Sequence, residues 1–133
     1  MTDDASPQGS HPVLTAAFAQ LFVADIRAAC AFYERVLGFA TVFVHGDPPF
    51  YGQVARNGVR LNLRHVDTPV FDDGRRQRES LLSVYVEVDD VDAIYAQFQR
   101  AGAQFQQPLT IQPWNRREFV VRDADGNLLC FAE

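Results

Sequence analysis

What the sequence has little of narrows its class first. It holds only two cysteines, Cys30 and Cys130, too few for a disulfide framework. Both lie in apolar patterns, where a free thiol serves as a small core residue. No apolar run approaches the ~20 residues that a membrane-spanning helix needs. The first dozen residues carry Asp3, Asp4, Pro7, Gly9 and Pro12 without a basic stretch leading into an apolar one, so they do not read as a secretory signal. Basic charge is also in deficit: the formal net charge is -5 and the pI is about 5.1, the wrong sign for a dedicated nucleic-acid binder. The three histidines, His11, His45 and His65, stand apart from one another, in positions typical of solvated side chains. No Ser/His/Asp or Cys/His arrangement and no glycine-rich phosphate loop is present. These absences point to a cytoplasmic protein with reduced thiols, with neither membrane nor nucleic acid as partner.

What is present is a 133-residue chain, 47% hydrophobic, long enough for one domain with an ordinary core. Residues 1–13 read as a flexible tail and 14–133 as the domain. One pattern occurs twice. Ala17–Val23 is a candidate strand, Asp25 a candidate helix N-cap, and Ile26, Ala29, Cys30, Tyr33 and Leu37 follow at helical spacing. Gly38 is a natural helix stop. Phe39–Val44 is a strand, His45–Pro49 a turn, and Phe50–Ala55 with Val59–Val66 a hairpin closed by Asn57-Gly58. The second half repeats the order: strand Leu81–Val88, cap Asp89 or Asp90, helical stripe Val91, Ile94, Tyr95, Phe98, stop Gly102. Strands Ala103–Ile111, Arg117–Arg122 and Asn127–Phe131 follow, the last two joined at Asp125-Gly126. The helix stops are about 64 residues apart and the last hairpin turns about 68, an offset that indicates internal duplication. Each copy is a βαβββ module, spanning about 14–66 and 81–133. Residues 67–80 are the polar, turn-rich linker, and its Arg75, Arg76 and Arg78 read as a solvated cluster. The fold class is therefore α+β. The modules pack together, their mixed sheets curve around a cavity, and the helices lie outside.

Two stretches carry a family resemblance. Val23-Ala24-Asp25 followed by Ala31-Phe32-Tyr33 and Leu37-Gly38-Phe39 is similar to a signature of the glyoxalase/bleomycin-resistance/dioxygenase superfamily, also called vicinal oxygen chelate proteins. Trp114-Asn115-Arg116-Arg117-Glu118-Phe119 with Asp123-Ala124-Asp125-Gly126-Asn127-Leu128-Leu129 resembles the ending of its bleomycin-resistance branch. Asn115 replaces the usual Gly and Ala124 the usual Pro; Asn tolerates the backbone angles that Gly supplies. The resemblance implies a homodimer with ligand clefts between subunits, and binding of a bleomycin-type antibiotic. Enzymes of the superfamily hold a divalent metal at four inward strand positions, which here align with Phe18, Asn62, Ser83 and Cys130. That set lacks the carboxylates and imidazoles a divalent cation requires, and a one-residue slip in alignment does not supply them. The expectation is no metal, no cofactor and no catalytic residue.

Alternation along Val59–Val66 separates Leu61 and Leu63 from Arg60, Asn62 and Arg64. The leucines belong under the helix and the polar trio toward the cavity. Arg117 is grouped with that trio, while Phe43, Phe50, Tyr51 and Trp114 add aromatic surface. Such a lining suits a planar, partly polar small molecule. Trp114 reads equally as a ligand contact or a core residue. Tyr33 and Phe39 read as core. The leading expectation is a metal-independent binding protein that sequesters a bleomycin-type antibiotic. The alternatives are an enzyme of the superfamily, or a metabolite-binding protein, acting on a small oxygenated and possibly anionic ligand.

Overall fold

A computed structural model of the chain describes residues 11–133, so most of the expected tail lies outside the described residues. Its elements run β1 (Ala19–Val23), α1 (Ile26–Arg35), β2 (Ala40–Gly46), β3 (Pro49–Arg56), β4 (Val59–His65), α2 (Asp73–Glu79), β5 (Val84–Glu87), α3 (Val91–Arg100), β6 (Gln104–Ile111), β7 (Arg117–Arg122) and β8 (Leu128–Ala132). The strands form two four-stranded mixed sheets, ordered β1-β4-β3-β2 and β5-β8-β7-β6. In each, the outer strand and its neighbour are parallel, bridged by the helix and a meander, and the other pairs are antiparallel. The duplication is thus written in the topology.

Local chemistry explains the repeat. Asp25 and Asp90 each accept a hydrogen bond from the backbone N–H three residues on, that of Ala28 and of Ala93, at 3.0 Å, which satisfies a donor the helix start leaves free. Gly38 and Gly102 have φ of +72° and +85°, the left-handed turn that lets the chain reverse from helix into strand. At the β3–β4 turn Asn57 takes φ 52°, the positive φ that a two-residue hairpin turn needs at its first central residue.

One core joins the modules. Leu21, Leu61, Leu63 and Val54 of the first sheet and Phe98, Phe119, Leu129 and Phe131 of the second module belong to a single buried cluster. Phe119 stacks on Phe131 at 5.3 Å, and Phe98 meets both edge-on. Tyr33 of α1 is fully buried and donates its hydroxyl to Asp123 Oδ2 at 2.7 Å. Burial pushes the Asp123 carboxyl up, against bonds from Asn127, Tyr33 and two backbone N–H groups that favour its charged form. The Asn127 side-chain amide donates to Asp123 Oδ2 and to the Phe22 carbonyl at 3.2 Å, tying the β7–β8 turn to β1.

Two expectations need correction. The segment 67–80 is not merely a linker: α2 occupies Asp73–Glu79. Asp72 caps it through the Arg75 N–H at 3.1 Å, and Arg75 pairs with Glu79 at i,i+4. The helix docks on the second sheet through Arg122 with Asp73, and through the Gln106 amide donating to the Gln77 carbonyl. Nor is the arginine cluster uniformly solvated. Arg76 is buried against Phe71 and Asn127, because α2 turns one face onto the protein. Among the described residues no helix is long and apolar enough to cross a membrane.

Candidate ligand-binding site

The face of the first sheet opposite α1 is the candidate site. Leu61 and Leu63 are fully buried under α1, so Arg60, Asn62 and Arg64 point the other way. Register extends that face across the sheet. Asn62 lies between Gln20 of β1 and Gln53 of β3, and Arg64 between Phe22 and Tyr51. A register shift between Thr41 and Phe43 sets the edge strand. Thr41 stays on the helix side, donating to Glu34 at 2.6 Å, while the extra residue brings Phe43 level with Gln53 on the open side.

The polar groups of this face are organised. Arg60 Nη1 donates to Gln53 Oε1 at 2.9 Å, and Gln53 Nε2 donates to Asn62 Oδ1 at 2.9 Å. The Tyr51 hydroxyl reaches Gln20 Oε1 at 3.4 Å, and the rings of Phe43 and Tyr51 lie 5.8 Å apart. The result is a band of amides with a guanidinium at one end and an aromatic pair beside it. Each amide retains hydrogen-bonding capacity beyond these contacts. Arg60 and Arg64 meet no carboxylate within 4.0 Å among the described residues. Phe18, Phe43 and Phe50 are 47%, 39% and 52% exposed, so nothing in the described chain covers the aromatic flank.

The structure brings together Phe43, Tyr51, Arg60, Asn62 and Arg64. Phe50 stands at the β2–β3 turn, edge-on to His45 at 5.4 Å, beside this face. Trp114 is carried by the other sheet, on the turn between β6 and β7. Asn115 takes φ 65° there, supplying the conformation the usual Gly would. Trp114 is 65% exposed, which rules out the core alternative. Arg117 does not join the group. It lies on the helix side of its sheet and grips Asp92 of α3 with two bonds of 2.8 and 2.6 Å, a pairing that holds the Asp92 carboxyl below its usual range. Sequence reasoning missed Gln20 and Gln53. Gln20 was legible as the polar neighbour of Leu21, but Gln53 sits in a strand with no clean alternation.

The four positions at which enzymes of the resembled superfamily hold metal carry donors already engaged or unsuited here. Phe18 offers none. Asn62 is engaged by Gln53, and the Ser83 hydroxyl accepts the Leu128 N–H at 3.2 Å. The Cys130 thiol is fully buried, and burial together with the nearby Glu118 pushes it up to about 12, whereas a metal takes the thiolate. These residues do not fit a divalent ion. Among the described residues no three His, Cys, Asp or Glu side chains converge on a common point.

Residues 14–131 match the Glyoxalase/Bleomycin resistance protein/Dioxygenase superfamily. A bleomycin resistance protein of Geobacillus stearothermophilus is 30% identical over 120 residues, covering 82% of this chain and 89% of the relative. The bleomycin-binding protein of the bleomycin producer Streptomyces verticillus, solved with copper(II)-bleomycin, superposes with a TM-score of 0.71 at 25% identity, covering 91% of this chain and 97% of that one. A bleomycin-binding protein solved with bleomycin gives a TM-score of 0.73 at 24% identity over 90% and 98% of the two chains.

Proposed function

The chain belongs to the glyoxalase/bleomycin resistance protein/dioxygenase superfamily, and from that premise we propose that it is a small-molecule binding protein that sequesters a bleomycin-type antibiotic without a resident metal. The observation that carries this reading is the open face of the first sheet, where an amide band lies beside an uncovered aromatic pair. Rings give a flat, partly polar ligand area to stack on, and fixed amides set its orientation. The relatives named above support the ligand class, and the unsuited donor set at the family's metal positions supports binding without metal. The acidic net charge of -5 is compatible with a cationic drug through long-range attraction.

The reading includes a homodimer. A single sheet face cannot enclose a ligand of antibiotic size, and the second copy would bring its own Trp114 and β6–β7 turn over the aromatic flank. The exposed Val13, Leu14 and Phe18 supply apolar surface ahead of β1 for such an interface. One observation favours a second reading, a protein for a small anionic metabolite: among the described residues Arg60 and Arg64 have no carboxylate partner on the candidate face.

Calorimetric titration of the purified chain with metal-free bleomycin, in the presence of a chelator, tests the choice. Saturation at one ligand per chain supports sequestration. No heat with bleomycin, together with binding of small carboxylates that Arg60→Ala abolishes, would overturn it in favour of the second reading.

A further inference from the structure

Arg76 is a buried cation in direct contact with no carboxylate among the described residues. It is 7% exposed; its guanidinium carbon lies 4.4 Å over the Phe71 ring, and its one side-chain hydrogen bond is from Nη1 to Asn127 Oδ1 at 3.3 Å. No carboxylate comes within 4.0 Å of it among the described residues. Asp73 is near enough to feel its charge; its Oδ2 accepts from Arg122 and Gln77, while its Oδ1 is buried without a hydrogen-bond partner and beyond 4.0 Å of the Arg76 guanidinium. Charge withdrawn from water is costly unless paired. A guanidinium has five N–H donors in a planar fork, and most of this one's donors are unspent.

Arg76 lines a cavity of about 370 Å³ between β1, α2 and the start of β5, within the size range of small-ligand sites. Phe22, Phe71 and Leu82 form its apolar side; Arg75, Ser83 and Asn127 stand with Arg76 on the polar side. The rings of Phe22 and Phe71 lie 6.3 Å apart at 48°, forming a bent aromatic wall with no slot between them. Asp72 also borders the space, but its Oδ1 is turned to the Arg75 N–H as the helix cap.

We propose that this cavity binds a small monocarboxylate with an apolar ring. The carboxylate accepts from the Arg76 fork, the geometry in which arginine binds such groups most strongly. The Ser83 hydroxyl is within the same polar corner, and the ring of the ligand lies against Phe22 and Phe71. The site borders the open sheet face through Gln20 and Phe22 but does not depend on what that face binds.

Benzoate and its neutral analogue benzamide serve as probes on the full chain, followed by amide chemical shifts. Benzoate is expected to saturate, with shifts centred on residues 71–83 and Asn127, and benzamide to bind at least about tenfold more weakly, the loss of one charged hydrogen-bond set. Arg76→Gln should weaken benzoate by a similar factor. If Arg76→Gln fails to fold, Ser83→Ala and Phe71→Ala carry the test, each lowering benzoate affinity several-fold. Equal binding of the two probes, shifts centred elsewhere, no saturation at tens of millimolar, or unchanged benzoate affinity in the folded variants would overturn the proposal.

Discussion

Trp114 is the residue on which exposure decides most. A ring left 65% exposed on a turn contributes little to folding, so Trp114→Ala should leave the thermal midpoint within about 2 °C of the parent, the range of surface substitutions. The same change should weaken bleomycin binding by about 2 kcal/mol, as loss of an aromatic anchor commonly does, or roughly thirtyfold. Unfolding scans and titration of one variant check both. Unchanged affinity would place the ring outside the ligand site. Other side chains show the limits of local reading. Arg117 shares its strand face with Phe119, the apolar residue that packs on α3, but Glu118 and Val120 mix polar and apolar in the same way, so alternation along β7 carries no signal of face. Arg76 sits among Arg75, Gln77 and Arg78 and reads as hydrophilic surface. Only the tertiary placement of Phe71 and Asn127 buries it.

Among the elements, the helices and hairpins were the most legible because their determinants are local. Asp25 and Asp90 cap, Gly38 and Gly102 reverse the chain, and Asn57-Gly58 turns a hairpin, each within a few residues of the structure it sets. α2 was not legible. Its seven residues have too little intrinsic stability to form alone, and long-range contacts from Arg122 and Gln106 hold it. The irregularity in β2 was equally hidden, since it is defined only by pairing with β3. The cap at α3 gives a direct test. Asp90→Ala removes the acceptor for the Ala93 N–H and should cost about 1 kcal/mol, lowering the midpoint by roughly 3–5 °C for a chain of this size. Asp90→Asn should recover most of that loss, because Asn caps nearly as well. A midpoint unmoved by Asp90→Ala would mean that packing of α3 makes the cap redundant.

At the scale of the whole molecule, the duplication builds two similar sheets with opposite uses of their surfaces. The helix-side faces merge into one core, which absorbs Tyr33, Phe98, Phe119 and Phe131. Among the described residues the other face of the first sheet stays open, and its exposed aromatics form an apolar patch of the kind that marks an interaction surface. Covering it with a second copy is the simplest closure compatible with a family of small chains. Light scattering at micromolar concentration should therefore give about twice the chain mass of 14.9 kDa, from an interface above about 1,000 Å²; a mass of one chain across that range would contradict the dimer. The pairing of modules and the overall class followed from the repeat, whereas the position of the cleft depends on which sheet faces remain uncovered, a property of the assembled molecule. The most direct measurement is a chemical-shift map of the backbone amides during titration with metal-free bleomycin. The account predicts perturbations concentrated on β2, β3 and β4 around Phe43, Tyr51, Gln53, Arg60 and Asn62, with a second group at the turn bearing Trp114. Perturbations confined to the helical side around α1 and α3, or none at saturating ligand, would contradict it.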